Sequence, residues 1–301
     1  NFETWYELMG YGDGILNDYI WTAAIDTVKV VGFGGTYDAT GIEDFTALEE
    51  VFGFGSLQHL DLSNNLNLKR IHSDNTVLQS LNVNNCTQLE YLLCRNNNLS
   101  ILDLSDNINL ETLICTNNDL TSLDLSTNIN LTYLNCSENK LTSLNLSNNI
   151  NLERLGLAFN NELLTISIVN NINLKEFYVS DCDNLTHIDA NNGNNIKLIT
   201  FAAMFNPSLA CVNVDDSAYA LSVYNGNNFS PPSADTNWFI DDTLLYNESC
   251  PLVSIVKPTT PKEDKTLIKI VDILGRETKA IYNTLLFYIY KDGSVEKKII
   301  L

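Results

Sequence analysis

Leucine and isoleucine return at fixed intervals along most of this chain. Ser56–Thr76, Val77–Asn97, Asn98–Asn118 and Asp119–Asn139 superimpose as 21-residue units, and Lys140–Asn161 and Glu162–Asp183 follow with one residue added. The shared pattern is L-x-x-L-D-L-S-x-N-x-x-L-x-x-L-x-C-x-x-N-x. Its apolar positions form continuous columns, such as Leu60, Leu81, Leu102, Leu123, Leu144, Ile166, Ile188 and Val212, or Ile71, Leu92, Leu113, Leu134, Leu155 and Phe177. A period of this size marks a solenoid, in which neighbouring coils bury each other's apolar edge. Apolar and polar residues alternate inside L-D-L and L-x-C, so each half-coil reads as a short strand with one inward face. Too few residues separate the halves for a helix. The expected fold is mainly β: a solenoid of 21–22-residue coils with two short strands per coil and little helix, plus a small C-terminal β domain.

Asparagine fills the corners, as Asn65, Asn107, Asn128, Asn149 and Asn171 in one column and Asn97, Asn118 and Asn139 in another. A corner leaves inward backbone groups unpaired. An amide side chain supplies a donor and an acceptor to meet them. Cys86 replaces asparagine in the first column and Cys182 in the second.

These residues resemble the leucine-rich repeat family, in its short bacterial type where both half-repeats carry L-x-x-L-x-L. The resemblance runs from about Thr27 to Val214. An earlier, longer coil shows in Val28, Val31, Phe33, Leu48 and Val51, and its insertion holds Thr40-Gly-Ile-Glu-Asp-Phe, read as a helical turn. The expected domains are an N-terminal cap at 1–26, repeats at 27–214, a C-terminal cap at 215–250, a Pro-bearing linker at 251–264 and a separate domain at 265–301. The segment Asn1-Phe-Glu, the Thr40 turn and the Cys211…Trp238…Cys250 closure are similar to caps of internalin-like surface proteins of Bacteroidota.

The C-terminal block changes periodicity and charge together. Thr266–Val271, Leu285–Lys291 and Ser294–Leu301 read as strands, the last two joined by Asp292-Gly293, a hairpin signal. Asp272, Gly275, Arg276, Tyr288, Lys297 and Lys298 lie in a block that resembles the C-terminal sorting domain of type IX secretion substrates. Two features depart from that pattern: the domain is short, and Lys257-Pro-Thr-Thr-Pro261 stands where Pro-Asn-Pro is common. The resemblance implies export across the outer membrane to the cell surface or medium. It also implies recognition of residues 265–301 by the type IX translocon and its β-barrel shuttle protein. Asp26-Thr27-Val28, Asp216-Ser217-Ala218 and Asp242-Thr243-Leu244 look like the O-glycosylation acceptor of Bacteroidota periplasmic proteins, which makes Thr27, Ser217 and Thr243 candidate sites.

Charge is uneven. The 301 residues carry a formal −20, yet residues 257–301 hold nine of the 17 basic side chains and six acids, a net of +3, leaving −23 on the rest. Such a body repels nucleic acid and anionic lipid. No apolar run reaches the length of a membrane span. The chain begins with Asn, so a targeting segment is expected to have been removed or excluded.

Of seven cysteines, Cys94, Cys115 and Cys136 share one inward column, where side chains point the same way and act as small hydrophobes. Cys211 and Cys250 flank the irregular segment that closes the repeats. They are expected to form a disulfide, which places the protein in an oxidising compartment. No metal or cofactor is expected. The histidines, His59, His72 and His187, fall on outward positions without a triad-like Ser or Asp partner, so the chain is read as a non-enzyme.

The candidate binding face is the outward side of the second strand. It carries Phe52, Phe54, Tyr91, Leu93, Ile114, Tyr133 and Tyr178, interleaved with Arg70, Arg95 and Arg154. Aromatic and arginine side chains are the usual interface anchors. The expected role is a binding or adhesion module for an unidentified surface protein or glycan. An alternative site for carbohydrate is the polar column Asp61, Asn82, Asp103, Asp124, Asn145 and Asp189 on the first strand.

Overall fold

The computed structural model describes residues 25–33, 39–53 and 55–216 in full, and the backbone of strands at 237–240, 245–247, 267–271, 285–290 and 295–299. The chain divides into two compact units, Asn1–Cys250 and Pro251–Leu301.

In the first unit the second half of each coil adds one strand to a single ten-stranded parallel sheet. Its strands are β1 (Val30–Gly32), β2 (Glu50–Phe52), β4 (Arg70–His72), β6 (Tyr91–Leu93), β7 (Thr112–Ile114), β8 (Tyr133–Asn135), β9 (Arg154–Gly156), β11 (Glu176–Tyr178), β13 (Thr200–Ala203) and β15 (Asn237–Ile240). Pairing is in register: Tyr91 lies beside Thr112, Thr112 beside Tyr133, and Tyr133 beside Arg154. The middle residue of each three-residue strand faces inward. Ile71, Leu92, Leu113, Leu134, Leu155 and Phe177 are all fully buried. Phe177 stacks on Phe201 with centroids 5.3 Å apart. The insertion before β2 contains a 3-10 turn at Ile42–Asp44, where the sequence places a helical turn.

The other edge of the coils is less regular. β3 (His59–Asp61) pairs with β5 (Ser80–Asn82), and β10 (Thr165–Ser167), β12 (His187–Asp189), β14 (Cys211–Asn213) and β16 (Leu245–Asn247) form a four-stranded sheet. In the three coils between, the L-D-L segments 102–104 and 123–125 and the L-N-L segment 144–146 make no ladder, although their leucines are buried. The expectation of two strands in every coil therefore holds at the ends and not in the centre.

Asparagine does the joining there. Asn128 Nδ2 donates to the carbonyls of Leu104 and Asn107, and Asn149 Nδ2 to those of Leu125 and Asn128, at 2.9–3.1 Å. The Cys86 thiol reaches the Leu62 carbonyl at 3.3 Å and so fills the same role. Contrary to expectation, this column only donates: the Oδ1 atoms of Asn65, Asn107, Asn128, Asn149 and Asn171 are buried and accept nothing. The second column works both ways. Asn118 Nδ2 donates to Cys94 and Cys115 carbonyls while its Oδ1 accepts from the Leu99 N–H. Asn160 continues that column, donating to the Cys136 carbonyl and accepting from the Leu141 N–H.

The second unit contains a three-stranded antiparallel sheet, with β18 (Leu285–Tyr290) between β17 (Leu267–Val271) and β19 (Val295–Ile299).

Candidate functional site

Because strand residues alternate, each three-residue strand of the long sheet offers its first and third side chains to the outside. The first-position column runs Glu50, Arg70, Tyr91, Thr112, Tyr133, Arg154 and Glu176, and the third-position column Phe52, His72, Leu93, Ile114, Asn135, Gly156 and Tyr178. Phe52, Arg70, Tyr91, Leu93, Ile114, Tyr133, Arg154 and Tyr178, which the sequence marks as one face, are thus two adjacent columns of one sheet. Phe54 lies outside the described residues, and Arg95 stands exposed beyond the end of β6.

The face is held in place by contacts along its columns. The Arg154 guanidinium lies 4.3 Å from the Tyr133 ring centroid, a cation–π distance. His72 packs against Tyr91 in a tilted pair with ring centroids 4.9 Å apart and meets the Glu50 carboxylate at 3.3 Å. Arg95 pairs with Asp74 at 2.6 Å. The Tyr178 hydroxyl, pushed up in pKa by burial, donates to Glu176 at 3.5 Å. Gly32 gives room for an aromatic neighbour, since a Cβ there would fall 2.5 Å from the Phe52 ring. Preorganised aromatic side chains of this kind lose little rotamer freedom on docking.

Charge on this side differs from the rest. Arg70, Arg95 and Arg154 are the arginines of residues 1–256, and Lys29, Lys69 and Lys175 directly precede β1, β4 and β11. Lys29 and Lys69 share the Glu49 carboxylate at 2.6 and 3.0 Å. Those two hydrogen bonds bring its pKa down to about 2. Against Glu49, Glu50, Asp74, Glu90, Glu111, Glu153 and Glu176, the six basic groups leave this set one negative charge from neutral, far less acidic than the −23 of residues 1–256.

The polar column proposed for carbohydrate has a structural task. Asp61, Asn82, Asp103, Asp124 and Asn145 each accept the backbone N–H two residues on through Oδ1, at 2.9–3.1 Å. These Asx turns shape the first corner. They also hold the Asp103 and Asp124 carboxyls below the usual range, chiefly through the backbone N–H of Ser105 and Ser126. A pKa lower in the folded than in the unfolded chain contributes stability above ~4 that is lost as pH falls through the folded value. Asp103→Asn with Asp124→Asn should leave the melting temperature at pH 7 nearly unchanged, since Asn82 and Asn145 make the same bond. The variant's melting temperature should also fall less than that of the native chain on acidification. Parallel melting curves for the two proteins across that range would reject the assignment.

Among the three histidines, one meets a serine, though not in a triad-like arrangement. His59 Nδ1 lies 2.8 Å from Ser80 Oγ on the next coil, so that histidine has a serine partner. The pair sits on an exposed strand of the β3–β5 sheet rather than in a cleft. Thr27 is exposed in the turn before β1; Ser217 and Thr243 lie outside the described residues. So do Asp272, Gly275 and Arg276, while Tyr288, Lys297 and Lys298 are placed only as backbone of β18 and β19. Cys211 is disulfide-bonded; its expected partner, Cys250, is outside the described residues. Cys86, Cys94, Cys115, Cys136 and Cys182 are buried free thiols. Burial pushes Cys115 up to about 12, which keeps it unreactive. Among the described residues no cluster of His, Cys, Asp and Glu is suited to a metal, and no helix is long and apolar enough to cross a membrane.

Two surface features escaped the sequence reading. Ile108, Ile129, Ile150 and Ile172 follow the first corner asparagines in four consecutive coils, each about half exposed. The second corner carries a file of left-handed residues that includes two exposed phenylalanines.

The architecture is a mainly β leucine-rich-repeat solenoid. No family model matches the chain, and no curated protein matches it. Among solved structures, the functional domain of InlJ from Listeria monocytogenes, described as including a cysteine ladder, is 18% identical with a TM-score of 0.33, over 81% of this chain and 69% of that one. An internalin, InlF, from the same organism is 15% identical with a TM-score of 0.48, over 80% and 88%. The leucine-rich repeat domain of APL1B is 17% identical with a TM-score of 0.45, over 74% and 71%. At these identities the likeness concerns fold alone.

Proposed function

We propose that the chain is a secreted or cell-surface binding module, and that it engages a protein partner through the outward face of the ten-stranded sheet. One observation carries this reading: Tyr91, Tyr133, Arg154 and Tyr178, with Phe52, Leu93 and Ile114, occupy two adjacent columns of a rigid sheet. Phe52 and Tyr178 are 45% and 40% exposed, and Arg70, Arg95 and Arg154 offset part of the acidity on this side. An apolar and aromatic strip of this length is uncommon on a surface with no partner. The Asp and Asn column, by contrast, is occupied with Asx turns, which weakens the carbohydrate reading. The disulfide at Cys211, proposed to close onto Cys250, supports an oxidising, extracytoplasmic setting.

Residues 265–301 are proposed to be the export signal, read by the type IX translocon and its shuttle. The support is the resemblance around Asp272, Gly275, Arg276, Tyr288, Lys297 and Lys298, together with the three-stranded antiparallel sheet. Affinity capture from the native cell surface tests both assignments. The full chain should retain a partner that Tyr91→Ser with Tyr133→Ser and Tyr178→Ser loses by tenfold or more, while that variant still melts cooperatively. Residues 1–250 alone should keep this partner and lose the secretion components. Unchanged capture by the triple variant would remove the sheet face from consideration, and secretion components that persist on residues 1–250 would remove the export assignment.

A further inference from the structure

The second corner of the coils turns through a left-handed residue each time. Asn75, Asn96, Asn117, Glu138, Phe159, Asp181 and Phe205 occupy that position with φ between +54° and +59°. Asparagine tolerates this conformation and fills it in the first three coils. The last four coils break the rule, and they do so in a pattern: carboxylate, ring, carboxylate, ring.

The fold explains neither ring. Phe159 and Phe205 are 51% and 56% exposed, so they supply little to the core and sit in a conformation that β-carbon sterics disfavour. Successive members of the file are tied by backbone hydrogen bonds between coils, Glu138 N–H to the Ala158 carbonyl, Phe159 N–H to Ser180 and Asp181 N–H to Met204, at 2.7–3.0 Å. The side chains therefore stand at the spacing of paired strands, ~4.8 Å. Lys140, the nearest cation in sequence, is engaged by Asp119 at 2.6 Å.

We propose that Glu138, Phe159, Asp181 and Phe205 form a binding file for a basic, extended peptide segment. Each carboxylate meets a lysine or arginine head group, and each ring receives the aliphatic stem or the cation at its face. Charge complementarity selects this occupant: residues 1–256 carry −23, and the nearby Arg95 and Lys140 are each already paired with an aspartate. Geometry agrees with an extended guest. Glu138 and Asp181 are two coils apart, ~9.6 Å, and every third residue of a polyproline II segment repeats at ~9.3 Å.

The site is separate from the sheet face and is tested on the full chain with a fluorescein-labelled peptide of repeated Lys-Pro-Pro units, read by anisotropy. Phe159→Asn with Phe205→Asn installs the residue that this backbone favours, so stability should rise while affinity falls about tenfold. Glu138→Gln with Asp181→Asn should weaken binding by at least as much. Asp103→Asn with Asp124→Asn removes the same charge from the other edge and should leave affinity within about twofold. The triple tyrosine variant of the sheet face should also bind the peptide normally. Wild-type affinity in the double phenylalanine variant, equal losses in the Asp103/Asp124 control, equal binding of a Ser-Pro-Pro peptide, or no binding at all would each overturn the proposal.

Discussion

Replacing Asn118 by alanine is expected to destabilise the protein by about 2–3 kcal/mol, a large loss from one side chain. Its amide nitrogen donates to the Cys94 and Cys115 carbonyls at 2.9 and 3.0 Å, and its oxygen accepts the Leu99 N–H at 3.0 Å. The Leu99 N–H is buried and loses its acceptor when the side chain goes, while the Cys94 and Cys115 carbonyls each lose one of two amide donors, keeping those of Asn97 and Asn139. Asn128→Ala should cost less, since Asn128 satisfies two carbonyls and its own Oδ1 is unpartnered. Asn128→Cys should be milder still, because the Cys86 thiol already serves this corner by reaching Leu62. Urea denaturation of the three variants gives the order directly. A loss at Asn128 equal to or greater than that at Asn118 would show that the two corners are not built differently.

That contrast marks how far the sequence alone leads. The 21-residue period makes the inward columns legible, and every leucine of the Leu60 and Ile71 columns is buried as its position requires. The residues of the proposed binding face follow from the same arithmetic, because a strand's alternation decides which side chains point out. Hydrogen-bond direction is another matter. Asn128 and Asn118 look alike in the repeat, yet only Asn118 finds a donor for its oxygen. The missing ladder at 102–104, 123–125 and 144–146 was also illegible, since those segments keep the apolar–polar–apolar pattern of their neighbours. Pairing depends on how closely adjacent coils approach at that edge, which side-chain periodicity does not encode.

Asp103 is a different case. An exposed acidic column invites a ligand, and the serine two residues on, which explains it, was visible in every L-D-L-S. Phe159 and Phe205 were hidden for the opposite reason. A left-handed residue announces itself when it is asparagine or glycine, and a phenylalanine in that slot gives no such signal.

The second large effect is expected at Phe177, where the inward column changes from leucine to an aromatic ring. Its side chain is fully buried and lies parallel to Phe201 of the neighbouring strand, with an interplanar angle of 9°. Truncation to alanine removes that stack and opens a void between the coils carrying β11 and β13, at a cost of about 3–5 kcal/mol. In a solenoid the loss falls on the interface between neighbouring coils, because each coil is stabilised chiefly by the two it touches. Phe177→Ala should therefore do more than lower the midpoint of urea denaturation. Amide hydrogen exchange should speed up at Thr200–Ala203, which pairs with β11, while Tyr91–Leu93 and Thr112–Ile114, several coils away, keep most of their protection. Phe177→Leu, restoring the residue of the preceding coils, should recover more than half of the lost stability. Uniform acceleration across all of these strands would mean that the coils unfold as one cooperative block, and that stability here is not a sum of local interfaces.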